Sequence, residues 1–296
     1  MKRVWFITGS SRGLGRSLTE AVLTAGDCVA ATARNPEQLK DLQDKYPDQL
    51  LALQLDVTVQ EEISQAVAAA IKHFGRIDVL VNNAGFGITG AAEAFTEEQV
   101  LSQLQTNLYA PIAITRTVLP HMRAQRSGHI LQISSVGGRV GNAGLTIYQA
   151  AKFGLSGFSE ALAKEVAPLG IKVTCVEPGG FRTDWAGASM TFAEKIEGYE
   201  TTVDWVAEFL KGDNFVAMGD PAKAAKVMVE LIGHAEPPFH LLLGSEAVGI
   251  VKNAEASKLA ELEKWIAVST STDYDDATNF LETEAGKTMS EMKANR

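Results

Sequence analysis

RVWFITGSSRGLG, residues 3–15, holds five apolar or β-branched residues, then three glycines within seven positions, then the first turn of an amphipathic helix. The run RVWFIT predicts a buried strand, and the pattern from about Leu14 to Ala25 predicts a helix. Between them Gly9, Gly13 and Gly15 let the chain turn sharply and bring backbone N–H groups to the helix N-terminus, where negative charge is stabilised. Strand, glycine turn and helix in that order predict a pyrophosphate-binding βα unit; glycines alone would predict only a tight turn.

The same alternation continues along the chain. Strand-like runs CVAATA, LLALQL, IDVLVN, HILQIS and IKVTCVE are separated by helical patterns near 36–45, 60–74, 97–122 and 147–167. Runs this continuously apolar suit a parallel sheet covered on both faces. The prediction is an α/β fold, a Rossmann-type doubly wound parallel sheet flanked by helices, rather than an eight-stranded barrel. After Pro178 about forty residues of mixed character interrupt the pattern; a helix from Pro221 to Gly233 and the strand FHLLLG follow. We expect one catalytic domain over 1–245 with a lid at about 182–219, then a C-terminal helical extension and polar tail over 246–296.

Of the 296 residues, 46% are hydrophobic, enough for a sizeable core, and the formal charge of −9 opposes binding to nucleic acid or acidic membranes. Arg123, Arg126 and His129 could make a basic patch, but they fall where a helix ends and read as partners of its dipole. No apolar stretch approaches the roughly 20 residues of a membrane span, and no signal-peptide core is complete, so a cytoplasmic protein is expected. Cys28 and Cys175 lie in strand runs and read as buried thiols; the five histidines lack ligand spacing, so no metal site is expected.

Two residue choices speak to chemistry. ATAR ends the second strand run in Arg34, where an acid would bind a ribose 2′-hydroxyl; with Arg12 in the glycine turn, this favours NADP(H) over NAD(H). In TIYQAAK, Tyr148 and Lys152 share a helix face at i, i+4. A cation about 4 Å from a phenol at an effective dielectric of about 20 would lower its pKa by about three units, towards neutrality.

Taken in order, TGSSRGLG (8–15), Asp56–Val57, NNAG (82–85), Asn107, Ser134–Ser135, YQAAK (148–152) and PGGFRT (178–183) resemble the classical short-chain dehydrogenase/reductase family over about residues 1–245. The resemblance implies a catalytic set of Asn107, Ser135, Tyr148 and Lys152. Ser135, thirteen residues before Tyr148, would polarise a carbonyl, Tyr148 would act as general acid or base, and Asn107 would hold a water leading from Lys152. It implies cofactor contacts at Gly9, Ser11, Arg12, Gly13, Leu14, Gly15, Arg34, Asp56, Val57, Asn83, Ala84, Gly85, Tyr148, Lys152, Pro178, Gly179 and Thr183, with Asn82 structural. GxSxG is absent around Ser135, which disfavours acyl-transfer chemistry. The expected activity is hydride transfer between NADP(H) and a ketone or secondary alcohol. A non-catalytic NADP(H)-binding redox sensor and an epimerase or dehydratase are the alternatives. Trp185, Met190, Phe192, Tyr199, Trp205 and Phe209 in the lid, with Phe86, are candidates to line an apolar substrate cleft. The helices at 97–122 and 147–167 resemble the family's subunit interface, implying a homodimer or homotetramer.

Overall fold

The computed structural model describes residues 2–183, 185, 189–211 and 217–294, with side chains to residue 290. The elements in chain order are β1 (Val4–Ile7), α1 (Gly13–Thr24), β2 (Cys28–Ala33), α2 (Lys40–Lys45), β3 (Leu50–Gln54), α3 (Gln60–Phe74), β4 (Val79–Asn82), β5 (Gly87–Thr89), α4 (Glu97–Leu104), α5 (Ala110–Gln125), β6 (Gly128–Ile133), α6 (Thr146–Val166), β7 (Ile171–Pro178), β8 (Met190–Phe192), α7 (Trp205–Lys211), α8 (Pro221–Leu231), β9 (His240–Leu243), α9 (Ser245–Thr270) and α10 (Glu284–Ala294).

Seven strands form one parallel sheet in the order β3-β2-β1-β4-β6-β7-β9. Strand order reverses between β1 and β4, and ligands bind such sheets in the crevice beyond the carboxyl ends at that point. Alternate residues of β1 face opposite layers: Trp5 and Ile7 join the core under α1 and α8, while Phe6 joins the core under α3 and α5. Both sides of the strand are dry, which explains its unbroken apolar run. Trp5 keeps its one polar atom satisfied, its Nε1 donating to Asp27 at 3.1 Å.

Three features depart from the expected pattern. First, the helix expected over 97–122 is two helices, α4 and α5, joined by a π-helical turn at Gln105–Tyr109. Pro111 has no N–H to offer the carbonyl four residues earlier, that of Asn107, and a π turn lets the chain continue past the missing bond. Second, β5 and β8 pair as a separate two-stranded parallel sheet, Gly87 to Met190 and Thr89 to Phe192. Met190 and Phe192, expected in a lid, are therefore strand residues. Third, His129 is not a surface charge: it lies on β6, buried, its Nε2 2.9 Å from Thr174 Oγ1, and burial pushes its pKa down to about 4.

The chain divides into two compact units, Met1–Val251 and Lys252–Arg296. The first turns of α9 belong to the first unit. In the second, the tail holds a 3₁₀ turn at Phe280–Glu282 and α10. Of the expected lid, Asp184, 186–188 and 212–216 lie outside the described residues.

Gly15 sits in the first turn of α1 where an added methyl would collide with the Gly9 carbonyl and the Asn83 amide. Backbone on one side leaves little freedom to yield. We expect Gly15→Ala to lose about 1–3 kcal/mol of unfolding free energy, measured by denaturant titration; an unchanged midpoint would show that α1 can back away from β1.

Candidate active site

The turn after β1 is held by a short set of hydrogen bonds. Thr8 Oγ1 accepts the Asn83 N–H at 2.9 Å and the Ala84 N–H at 3.0 Å. Asn83 Nδ2 returns two bonds, to the Thr8 carbonyl at 2.9 Å and the Gly9 carbonyl at 3.1 Å. The Asn83 amide thus ties the end of β4 to the glycine turn, and it lines the cavity as a bracing residue. Asn82, fully buried, donates to Gln132 Oε1 and Thr115 Oγ1, both at 3.0 Å.

Beyond these strand ends a cavity of about 750 Å³ runs across the switch point, within the range of small-molecule sites. One end is walled by Ala33, Arg34, Asp56 and Val57, the middle by Gly9, Ser11 to Leu14 and Asn83 to Gly85, and the other end by Ser135, Tyr148, Lys152 and Thr183. Gly9 and Gly13 adopt φ of 66° and 55°, the left-handed region that glycine occupies without strain. Arg12 caps α1 in an extended conformation with no side-chain cap bond, so among the described residues the first N–H groups of the helix have no side-chain partner. These residues fit a dinucleotide: glycine backbone and helix N-terminus for the pyrophosphate, and a carboxylate and a guanidinium at the adenosine end. Burial pushes the Asp56 carboxyl up, but hydrogen bonds from the Thr58 hydroxyl and N–H, and the Arg34 charge, together hold it below the usual value.

At the other end, α6 and the β6–α6 connection converge. Ser134 and Ser135 point to different places. Ser134 Oγ lies 3.1 Å from Ser156 Oγ, inside α6, whereas Ser135 Oγ accepts the Gly137 N–H at 3.0 Å and faces Tyr148. Tyr148 is buried, its ring centroid 5.4 Å from that of Trp185. Lys152, also buried, donates from Nζ to the Ile133 carbonyl at 2.8 Å and stands 5.7 Å from the Tyr148 ring centroid. Thr183 Oγ1 accepts the Trp185 N–H at 3.3 Å, which leaves its hydroxyl proton available to donate.

The electrostatics reverse one expectation. Lys152 was expected to draw the phenol towards neutrality. Instead burial pushes the Tyr148 pKa up to about 12, with the Ser135 hydrogen bond pulling the other way. Burial likewise pushes Lys152 down to about 8, with the nearby Cys175 acting in the opposite sense. The packing that brings the two groups together removes water from both charged forms, and that cost exceeds their mutual help.

Two expected site residues stand apart from the cavity wall. Gly15 serves the close approach of α1 to β1. Asn107 is fully buried, its Nδ2 donating to the Phe86 carbonyl at 2.7 Å and its Oδ1 accepting the Phe86 N–H at 3.1 Å. Its amide therefore positions Phe86, which does line the cavity; its carbonyl is the one that Pro111 leaves without an α-helical donor. Among the lid aromatics, Trp185 lines this cavity. Met190 is buried behind it, Phe192 and Tyr199 border a separate small depression, and Trp205 stacks on Phe209 at 5.5 Å. Sequence reasoning passed over Thr8, Ser102, Thr106, Asn142 and Gln149. Gln149 lies inside YQAAK, and its amide oxygen takes the Asn142 N–H, a partner that no spacing in the sequence marks.

The family model for short chain dehydrogenases matches residues 3–193. Oxidoreductase BOA17 of Botryotinia fuckeliana is 45% identical over 270 residues, spanning 91% of this chain and 98% of that protein. The crystal structure of a short-chain dehydrogenase from Streptomyces avermitilis superimposes with a TM-score of 0.87 at 41% identity, covering 93% of this chain and 99% of that one. That of a metagenomic short-chain oxidoreductase in complex with NADP gives a TM-score of 0.66 at 26% identity, covering 81% and 96%. The chain belongs to the short-chain dehydrogenase family, whose members are oxidoreductases that use a nicotinamide cofactor. No described helix is long and apolar enough to cross a membrane.

The lysine shift has a measurable consequence. Lys152 has a folded pKa near 8 against about 10.5 unfolded, so between those values the unfolded chain holds a proton that the folded one does not. Stability contributed at this site therefore rises with pH across that window. Relative to Lys152→Met, the wild type should gain about 3 kcal/mol of unfolding free energy from pH 7 to pH 10.5. Parallel stability profiles for the two proteins would show that Lys152 is not strained by burial.

Proposed function

We propose that the protein is an NADP(H)-dependent oxidoreductase that interconverts a ketone and a secondary alcohol, with Tyr148 as the general acid and base. The observation that carries this reading is that Ser135, Tyr148 and Lys152 line the same cavity as the glycine turn. A protein that merely senses a dinucleotide has no use for a buried phenol beside a serine hydroxyl.

A nicotinamide cofactor held along this wall would supply or accept the hydride exchanged with the carbonyl carbon. Ser135 donates a hydrogen bond to the carbonyl oxygen and shares its developing negative charge. Tyr148 transfers its proton to that oxygen. Its raised pKa keeps the phenol protonated at neutral pH, the form a proton donor requires. Lys152, on the same face of α6, would hold the cofactor's ribose hydroxyls and supply positive charge as the phenolate forms. Gly85 leaves room for the Asn107 amide: a methyl there would lie 2.8 Å from Asn107 Oδ1, while 3.8 Å from Lys152 Nζ would be ordinary contact.

The choice of NADP(H) rests on Arg34 just past β2, with Arg12 also on the wall and no acid at the strand end. A guanidinium there suits a 2′-phosphate. The NADP complex of the metagenomic relative supports the same choice. Exposed Leu101 and Tyr109, on and just after α4, support assembly into a homodimer or homotetramer.

Tyr148→Phe should reduce turnover of any ketone substrate by at least about a thousandfold while NADPH affinity, followed by fluorescence titration, stays within a few fold. Substantial residual turnover would remove Tyr148 from the role of proton donor. Arg34→Glu should weaken NADPH far more than NADH. Equal losses for the two cofactors would show that Arg34 does not read the phosphate.

A further inference from the structure

The residue after the proposed proton donor is a glutamine, and it is built into the wall as firmly as the tyrosine. Gln149 is 5% exposed and lines the cavity beside Gly137 and Asn142. Its Oε1 accepts the backbone N–H of Asn142 at 2.7 Å. A main-chain N–H can only donate, so this bond decides which end of the amide is which. Nε2 is then the free end, and it has no hydrogen-bond partner among the described residues. Nε2 is not among the polar atoms cut off from solvent, so it opens to the cavity that Gln149 lines, a fixed donor available to an acceptor supplied from outside the chain.

Gly137 shows where that acceptor would lie. A Cβ built on Gly137 would stand 3.4 Å from Ser135 Oγ and 3.5 Å from Gln149 Nε2, so the two donors lie within about 7 Å of each other. Both border the space that the glycine's missing side chain leaves open. With hydrogen bonds of about 2.9 Å from each, a gap of that size accommodates carbonyl oxygens on carbons one and three of a substrate. It is too short for oxygens at the two ends of a long chain.

We infer that Gln149 is a substrate-orienting residue, and that the preferred substrates are β-dicarbonyl compounds: ketones carrying a second carbonyl oxygen at the β position, as in a β-keto ester. Ser135 and Tyr148 take the oxygen that is reduced, and Gln149 Nε2 donates to the other. The rest of the substrate runs along the apolar part of the wall, where Phe86, Leu145 and Trp185 stand. A second fixed oxygen orients the ketone before reaction, so it decides both which carbonyl is reduced and which face receives hydride. A site that has a donor for that oxygen discriminates against ketones that lack it, because the donor then stays unpaired.

The inference rests on the oxidoreductase reading above, and the test separates the two. Reduction of a β-keto ester and of a plain ketone of the same chain length is followed by NADPH oxidation in the wild type, Gln149→Leu and Gln149→Glu. The glutamate variant keeps an oxygen for the Asn142 N–H and so preserves the connection before α6, yet it has no donor to offer. The wild type should favour the β-keto ester in kcat/KM, and both variants should lower that preference about tenfold, chiefly through KM. If both ketones lose rate in proportion, so that the ratio stays put, Gln149 only braces the loop and the inference fails while the oxidoreductase reading stands. If the wild type binds NADPH but oxidises it with neither ketone, the oxidoreductase reading itself fails and takes this inference with it.

Discussion

The contact on which the site depends is the crossing of two strand ends, where the Thr8 hydroxyl receives two N–H groups from the start of NAG and the Asn83 amide returns two bonds to the Thr8 and Gly9 carbonyls. Four bonds over so short a span join the glycine turn to the end of β4, on either side of the point where strand order reverses. Had either strand end been free to move, the cavity would have no constant width. The glycines are then less a flexible element than the only residues that permit this closeness, since Gly15 has the Gly9 carbonyl in the place of a methyl.

From that fixed crossing the site's electrostatics follow. A cavity deep enough to hold a dinucleotide and a substrate buries whatever lines its far end, and Tyr148 and Lys152 both lie there. Burial moves their pKa values in opposite directions, the phenol to about 12 and the ammonium to about 8, because each is being held towards its neutral form. A pair of charges in water would show the reverse. The same dryness strengthens any hydrogen bond to a developing oxyanion, so the cost borne by the folded chain and the chemistry proposed for it have one origin.

Much of this was legible in the residues. The unbroken apolar strands announced a sheet covered on both faces, the turn at 8–15 named its ligand-binding edge, and the i, i+4 spacing of Tyr148 and Lys152 put them on one helical face. What could not be read was partner choice. Asn107 sat in a predicted continuous helix, and the clue that the helix would break, the prolyl nitrogen at 111, was a local signal that was passed over. The lid aromatics were indistinguishable by type, but Trp185 meets Tyr148 while Trp205 meets Phe209, and no periodicity separates those fates. Nothing in the residues marked Gln149, because the partner of its amide is Asn142, seven residues away across a turn.

By itself, then, the sequence determined the layers and the order of the strands' connections, because burial on two faces and backbone hydrogen bonding leave few ways to arrange alternating strands and helices. It determined which residue types stand at the carboxyl edge, because glycine alone tolerates the turn there. The tertiary structure alone decided which polar atoms face each other across that edge and how much water they keep. Those are distances between segments far apart in the chain, and pKa values and free donors depend on nothing shorter in range.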